Sequence, residues 1–327
     1  MNKQMRIEIV VTNTVGLDLM PRSTVKAVKE SLEKNFQNVK VTNIKTEIDL
    51  KNLISRKPDL VFSGVKYLGF NEEDKKRTSK NKIWLSSILK EHGINHTGSE
   101  TEALALEINK VKAKKALLKL KIPTAKFFTA FPGQFNKQSV LPVSYPLFIK
   151  PMYEGDSRGI DEGSVVRNFS EFKAKVKQLH NEHHDKVLVE KYLSGREFTV
   201  GIIRDLNTKK LEAYPVELIA QINSRGYRFL SKKDKKEDSE SVIQIIDIQL
   251  FKQIAKLAKQ SFRALGARDY GRIDFRMDQN NRLFFLEANL VPGMGKGYFS
   301  RAMKMVKKES YSKMVNNLAS IALCRAR

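Results

Sequence analysis

The densest chemistry in this 327-residue chain sits in Arg272-Ile273-Asp274-Phe275-Arg276-Met277 and Leu283-Phe284-Phe285-Leu286-Glu287-Ala288-Asn289, joined across Asp278-Gln279-Asn280-Asn281. Both runs alternate apolar and polar residues on either side of a turn-forming tetrapeptide, which predicts a β-hairpin. Pairing symmetric about Gln279-Asn280 sets Asp274 opposite Phe285 and Arg272 opposite Glu287. Asp274, Glu287 and Asn289 then share one face with Arg272. Two carboxylates and a carboxamide are oxygen ligands for a hard cation such as Mg2+, which is commonly held by one or two carboxylates plus substrate phosphates. A nucleotide is therefore the expected third party. Each residue alone fits the solvated face of an amphipathic hairpin. All four together, followed by Val291-Pro292-Gly293-Met294-Gly295, fit that reading poorly.

Other segments offer ligand contacts of lower specificity. The loop Pro151-Met152-Tyr153-Glu154-Gly155-Asp156-Ser157-Arg158-Gly159 contains small residues that let backbone N–H groups approach phosphate oxygens, and Ser157 adds a hydroxyl. Neither a P-loop nor a dinucleotide fingerprint occurs, so the loop is equally well a flexible hairpin. Lys150 ends an apolar strand directly before it, aimed at whatever the loop holds. Lys110 is one lysine among many on a helix. The run Val187-Leu188-Val189-Glu190-Lys191-Tyr192-Leu193-Ser194-Gly195-Arg196-Glu197 reads as strand, hinge and strand. Backbone groups near Lys191 and Leu193 suit a purine edge, and the flanking carboxylates suit an amine and ribose hydroxyls.

These residues need a scaffold, and strand and helix signals supply one. Residues 1–97 alternate between them: Ile7-Glu8-Ile9-Val10-Val11, a helix over 23–36, Val39-Lys40-Val41, Asp59-Leu60-Val61-Phe62-Ser63, and a helix over 84–89. Such alternation predicts a parallel α/β domain. Residues 69–81 are polar and read as a surface loop. A second unit over 98–196 opens with a helix over 102–121, with Leu104, Ile108, Val111 and Leu118 on its buried side and a stop before Pro123. It continues with strands at 147–150, 164–166 and 186–190 and a helix over 169–180. A third unit, 197–327, holds further strands, a polar loop over 223–241, a helix over 248–265, the hairpin and a C-terminal helix.

Composition narrows the class. An apolar fraction of 41% supports packed cores, and no run approaches the roughly 20 apolar residues a membrane helix needs, so no membrane partner is expected. The charged first strand does not resemble a signal peptide. A lone Cys324 excludes an intrachain disulfide and a cysteine metal site, which favours a cytoplasmic location. The net charge of +24 invites a nucleic-acid partner. The excess is mostly dispersed lysine without interleaved aromatics, however, as at Lys75-Lys76-Arg77 and Lys304, Lys307 and Lys308. That argues for a solvated surface, or for steering of an acidic substrate, over a nucleic-acid site.

The combination resembles the ATP-grasp superfamily and, within it, the D-alanine–D-alanine ligase family. The resemblance is carried by Phe148-Ile149-Lys150-Pro151 with Glu154, Gly155, Ser157 and Gly159; by Val189 through Val200; by Arg272 through Arg276; and by Phe285 through Asn289 with Pro292-Gly293-Met294. It extends through His96-Thr97-Gly98-Ser99 and from Asn109-Lys110 to Ile122-Pro123-Thr124. It implies a three-domain α/β (α+β) fold, a parallel N-terminal domain ahead of two α+β units that sandwich ATP. It implies that Lys110, Lys150 and the loop containing Glu154, Gly155 and Ser157 meet the ATP phosphates. Glu190, Leu193 and the backbone at Lys191 would hold adenine, and Glu197 ribose. Asp274, Glu287 and Asn289 would bind two Mg2+ (or Mn2+) ions, and Arg272 and the Gly293 N–H would stabilise an oxyanion. The resemblance also suggests a homodimer.

The substrate side departs from that family. Its first loop carries a glutamate where Asn13-Thr14-Val15-Gly16-Leu17-Asp18 stands here, and the serine that anchors this glutamate falls at Asp156. In the loop 225–234 Lys232 matches a catalytic lysine, but no tyrosine follows it. Lys296-Gly297-Tyr298 replaces small hydroxyl residues. The expectation is an ADP-forming carboxylate–amine ligase acting through an acylphosphate on a small-molecule acid and amine other than D-alanine. Lys232, Lys233, Lys296 and Arg301 suggest that one substrate is acidic. The alternatives are a D-alanine–D-alanine ligase of cell-wall precursor synthesis and a non-catalytic nucleotide- and polyanion-binding protein.

Overall fold

The computed structural model describes residues 4–14, 17, 19–75, 80–231, 234, 237–295 and 297–325. The N-terminal alternation folds as expected. Strands Arg6–Val11, Asn38–Asn43 and Leu60–Ser63 form a parallel three-stranded sheet with Arg6–Val11 in the centre. Apolar alternation on the central strand is lost because it is covered on both faces, so Ile7, Ile9, Val10 and Val11 are all buried. Part of the expected polar loop is a short helix, Glu72–Lys75, and residues 76–79 lie outside the described residues.

The helix expected over 102–121 is two helices, Thr101–Ile108 and Lys110–Lys119. Asn109 breaks them: its side chain accepts a hydrogen bond from the Lys112 N–H and caps the second helix. The restart shifts the buried stripe to Lys110, Ala113, Lys114 and Leu117, so Leu118 is 47% exposed, against the sequence expectation.

A four-stranded antiparallel sheet follows, in the order Phe127–Ala130, Val187–Lys191, Leu147–Pro151, Val165–Val166, backed by the helix Phe169–His183. A five-stranded antiparallel sheet runs Ser241–Gln244, Leu211–Ile219, Glu197–Arg204, Tyr270–Met277, Leu283–Asn289. The helix Ile248–Ala264 packs on it through Leu250, Ile254, Ala258 and Phe262, which join Ala113 and Leu117 in one core. The single C-terminal helix of the sequence reading is two, Tyr298–Met305 and Tyr311–Arg325, and the second packs against the N-terminal helix Arg22–Leu32.

The predicted hairpin forms with a different register. Arg272 faces Asn289, Asp274 faces Glu287, and Phe275 faces Phe285. A β-bulge after Asp274 leaves Leu286 as the extra residue. In a regular strand Phe285 and Glu287 would share a face. The bulge lets Phe285 enter the core beside Phe275, its N–H donating to the Pro123 carbonyl at 2.9 Å, while Glu287 stays on the polar face.

Candidate active site

One cavity lies between the four- and five-stranded sheets, and a second adjoins it on the side of Leu19, Lys66 and Glu107. The first is walled by Phe148, Lys150, Glu190, Leu193, Glu197 and Asp274, among others. The second, the larger of the two, includes Lys110, Glu154, Gly155, Asn289 and Gly293. Arg272, Glu287 and Tyr298 line both.

Beside the first cavity, two charged residues from adjacent strands, Lys150 and Glu190, meet Lys114 from the helix Lys110–Lys119. Glu190 is buried between two ammonium groups, with Lys114 Nζ at 2.6 Å and Lys150 Nζ at 2.7 Å. Burial alone would raise its pKa, but the two lysines overcome that and hold it at about 2. Lys114 has lost all contact with solvent, and desolvation pulls its pKa down despite Glu190. Lys150 is desolvated too, yet Glu190 together with Glu287 and Glu197 raises its pKa. Three charges, two of them positive, form this cluster, with Lys150 and Glu190 in the cavity wall and Lys114 buried away from it. Lys114 was not foreseen; its signal was its place one turn after Lys110, on the face that Asn109 turns inward.

The hinge runs along the wall of this cavity. The Lys191 N–H donates to the Lys126 carbonyl at 2.9 Å, and its ammonium reaches the carbonyls of Ser144 at 3.2 Å and Tyr145 at 2.6 Å. Its N–H is therefore committed to the sheet, and Lys191, Tyr192 and Leu193 all share the cavity wall with Glu190. Gly195 is packed so tightly that a Cβ would lie 2.7 Å from the Asp278 carbonyl oxygen and 2.8 Å from Met277 Cβ. Gly195→Ala must push the hairpin turn away from the hinge. We expect a loss of about 1–3 kcal/mol, the usual size for overpacking, read as a lower urea midpoint by circular dichroism.

The loop after Lys150 bends through two left-handed non-glycine residues, Asp156 and Ser157, both at φ 55°, before Gly159 at φ 72°. A Cβ on Gly159 would meet Pro151 Cγ at 2.5 Å, so both conformation and space demand glycine. Ser157 Oγ donates to the Leu230 carbonyl at 3.1 Å, tying this loop to the segment of the third unit that carries Phe229 and Leu230. Lys110 donates to the Glu154 carbonyl, and Glu154 pairs with Arg158 at 3.6 Å.

On the hairpin, Arg272 Nε and Nη2 lie 3.0 Å from the two Asp274 carboxylate oxygens, and Thr199 Oγ1 donates to Asp274 Oδ1 at 2.6 Å. Burial opposes the charge on Arg272, but Asp274 and Glu287 hold its pKa above the usual value. Asn289 Oδ1 is buried with no hydrogen-bond partner among the described residues. An orphaned carboxamide oxygen on the strand that carries Glu287, opposite Asp274, fits a hard cation. Gly293 has open space around it. Lys232, Lys233 and Lys296 lie outside the described residues, as do Val15, Gly16 and Asp18. Arg301 pairs with Asp238 and, at 3.4 Å, with Glu240, so its charge is matched by two carboxylates.

The fold and this pair of cavities define an ATP-grasp protein. The D-ala D-ala ligase C-terminus family matches residues 117–320, and the chain belongs to the D-alanine–D-alanine ligase family. It is 31% identical over 271 residues to the D-alanine–D-alanine ligase of Aquifex aeolicus, covering 83% of this chain and 84% of that one. It is 29% identical over 210 residues to the enzyme of that name from Geotalea uraniireducens, a match that spans 64% of each chain. Among solved structures, the fold is shared with D-alanine–D-alanine ligase from Bacillus anthracis complexed with ATP, at a TM-score of 0.72, 17% identity and coverage of 99% and 98%. It is also shared with VanG D-Ala:D-Ser ligase from Enterococcus faecalis, at a TM-score of 0.71, 20% identity and coverage of 98% and 100%. No helix among the described residues is long and apolar enough to cross a membrane.

Proposed function

We propose that this chain is an ATP-dependent, ADP-forming ligase that joins two D-alanine molecules. The observation that carries the reading is the junction: Arg272 and Glu287 belong both to a cavity with Lys150, Glu190, Leu193 and Glu197 and to a larger one with Asn289 and Gly293. The adenosine of ATP would occupy the first, its phosphates would reach through the junction towards Lys110 and Asn289, and the amino acids would occupy the second, between the units 98–196 and 197–327, with 1–97 closing one side. The relatives' names favour D-alanine over the different substrate expected from the sequence. The pairing of Arg301 removes one of the basic residues that suggested an acidic substrate.

In this reading one D-alanine carboxylate attacks the γ-phosphate, giving an acylphosphate and ADP. The second D-alanine's amine then attacks the acyl carbon and expels phosphate. Lys150 and Lys110 offer ammonium groups to the phosphates, and Arg272, held in place by Asp274, faces the charge that develops at the junction. Asp274, Glu287 and Asn289 would hold Mg2+, which supplies Lewis-acid stabilisation of phosphoryl oxygens. The family resemblance extends the proposal to a homodimer.

Phosphate release from ATP and Mg2+ should depend on D-alanine across a panel of D- and L-amino acids and acidic dipeptides, with D-Ala-D-Ala found by mass spectrometry. Turnover confined to another acid–amine pair would overturn the substrate. Tight ATP binding without turnover on any pair would overturn the ligase reading in favour of a binding protein.

A further inference from the structure

Arg276 was not among the residues expected to do chemistry, yet it lies in the wall of the first cavity. It alternates onto the same face of the strand Tyr270–Met277 as Arg272 and Asp274, and it is 5% exposed. Sheet register sets it directly opposite Glu197. Its Nη1 donates to Glu197 Oε2 at 2.9 Å, and its guanidinium stacks over the Tyr192 ring at 5.3 Å. Nη2 donates to the Arg228 carbonyl and lies 3.4 Å from Tyr192 Oη, which itself donates to the Arg228 carbonyl at 3.1 Å. Its Nε is buried without a hydrogen-bond partner among the described residues.

We propose that Arg276 is a positioning residue that fixes the Glu197 carboxylate for the ribose hydroxyls of the nucleotide, and so sets a preference for ribonucleotides over deoxyribonucleotides. The proposal rests on the ATP reading above. A glutamate at a cavity wall has several rotamers, and its charge is costly to bury. A planar arginine directly across the sheet removes both problems: it matches the charge and holds the carboxylate in one orientation. Ribose hydroxyls are neutral donors, and a carboxylate already oriented accepts from them without further ordering. The same guanidinium grips the Arg228 carbonyl, next to Phe229 and Leu230 in that cavity wall. The sugar contact and the segment that covers it thus share one anchor. The buried Nε leaves a donor for which an acceptor on the ligand is the expected partner.

Calorimetric titration of the full-length protein with ATP and with 2′-deoxy-ATP and 3′-deoxy-ATP tests this. The unaltered protein should prefer ATP over at least one deoxy form by about 10-fold or more, the effect of one hydrogen bond to a charged group. Arg276→Met and Glu197→Gln should each bring that preference to within about 2- to 3-fold, while ATP still binds. If Arg276→Met weakens all three nucleotides equally and keeps the ratio, its role is only structural and the proposal is overturned. The same holds if Glu197→Gln keeps the ratio. Should Arg276→Met not fold, Arg276→Lys keeps the charge without the fork and should give an intermediate ratio; an unchanged one overturns the proposal. Failure of the unaltered protein to bind ATP at all would be a separate result, against the nucleotide reading itself.

Discussion

Replacing Arg272 with methionine should lower the turnover number for dipeptide formation by about 10³-fold, the loss typical of removing a preorganised charge from a transition state. ATP affinity should change far less. Arg272 lies where the two cavities join, and in the proposed reaction its guanidinium would sit near both the phosphoryl group to be transferred and the acyl carbon to be attacked. Two contacts hold it there: the bidentate pair with Asp274 and the Tyr298 ring, whose centre lies 5.4 Å from its Cζ. A group locked in place before substrate arrives needs no reorganisation during reaction. Steady-state kinetics with separate calorimetry of ATP binding checks this. A loss mainly in ATP affinity, with turnover preserved, would make Arg272 a nucleotide-binding residue instead.

Glu190→Gln should be the most destabilising conservative change at the site, by about 3–5 kcal/mol, because it removes the carboxylate that lies directly between two buried ammonium groups. Replacing Lys114 as well, with methionine, should recover part of the loss, since one of the two cations is then gone. The pH dependence carries a second signature. Glu190 has a pKa of about 2 in the fold against an ordinary 4.5. Its contribution is therefore present in full above pH 4.5 and is lost as pH falls from there towards 2. Glu100, held at about 2 by hydrogen bonding to His96 and by Arg268 although burial opposes it, adds to the same window. Urea midpoints measured across that range should fall less steeply for Glu190→Gln than for the unaltered protein. Parallel slopes would show that the carboxylate is not the linked group.

Much of this site was legible because its residues sit on regular strands. Period-two alternation placed Arg272, Asp274, Glu287 and Asn289 on one face, and the structure keeps them there. What alternation cannot show is a bulge. The symmetric register set Asp274 opposite Phe285, and only the demand of the core for that phenylalanine, two residues before Glu287, forces the extra residue. The helix over 102–121 failed for a similar reason. Apolar spacing continued through Asn109, but a capping side chain interrupted the backbone and rotated Lys114 inward. Arg276 and Lys114 were overlooked because arginine and lysine are usually solvent-facing. Their partners, Glu197 and Glu190, come from strands distant in sequence, and nothing local announces them.

The acylphosphate is the decisive intermediate of the proposed reaction. D-alanine labelled with ¹⁸O in its carboxylate should be incubated with ATP, Mg2+ and the protein, and the released phosphate examined by mass spectrometry. One labelled oxygen should appear in phosphate for each D-Ala-D-Ala formed, with ADP as the other product. Unlabelled phosphate, or AMP with pyrophosphate in place of ADP, would contradict it.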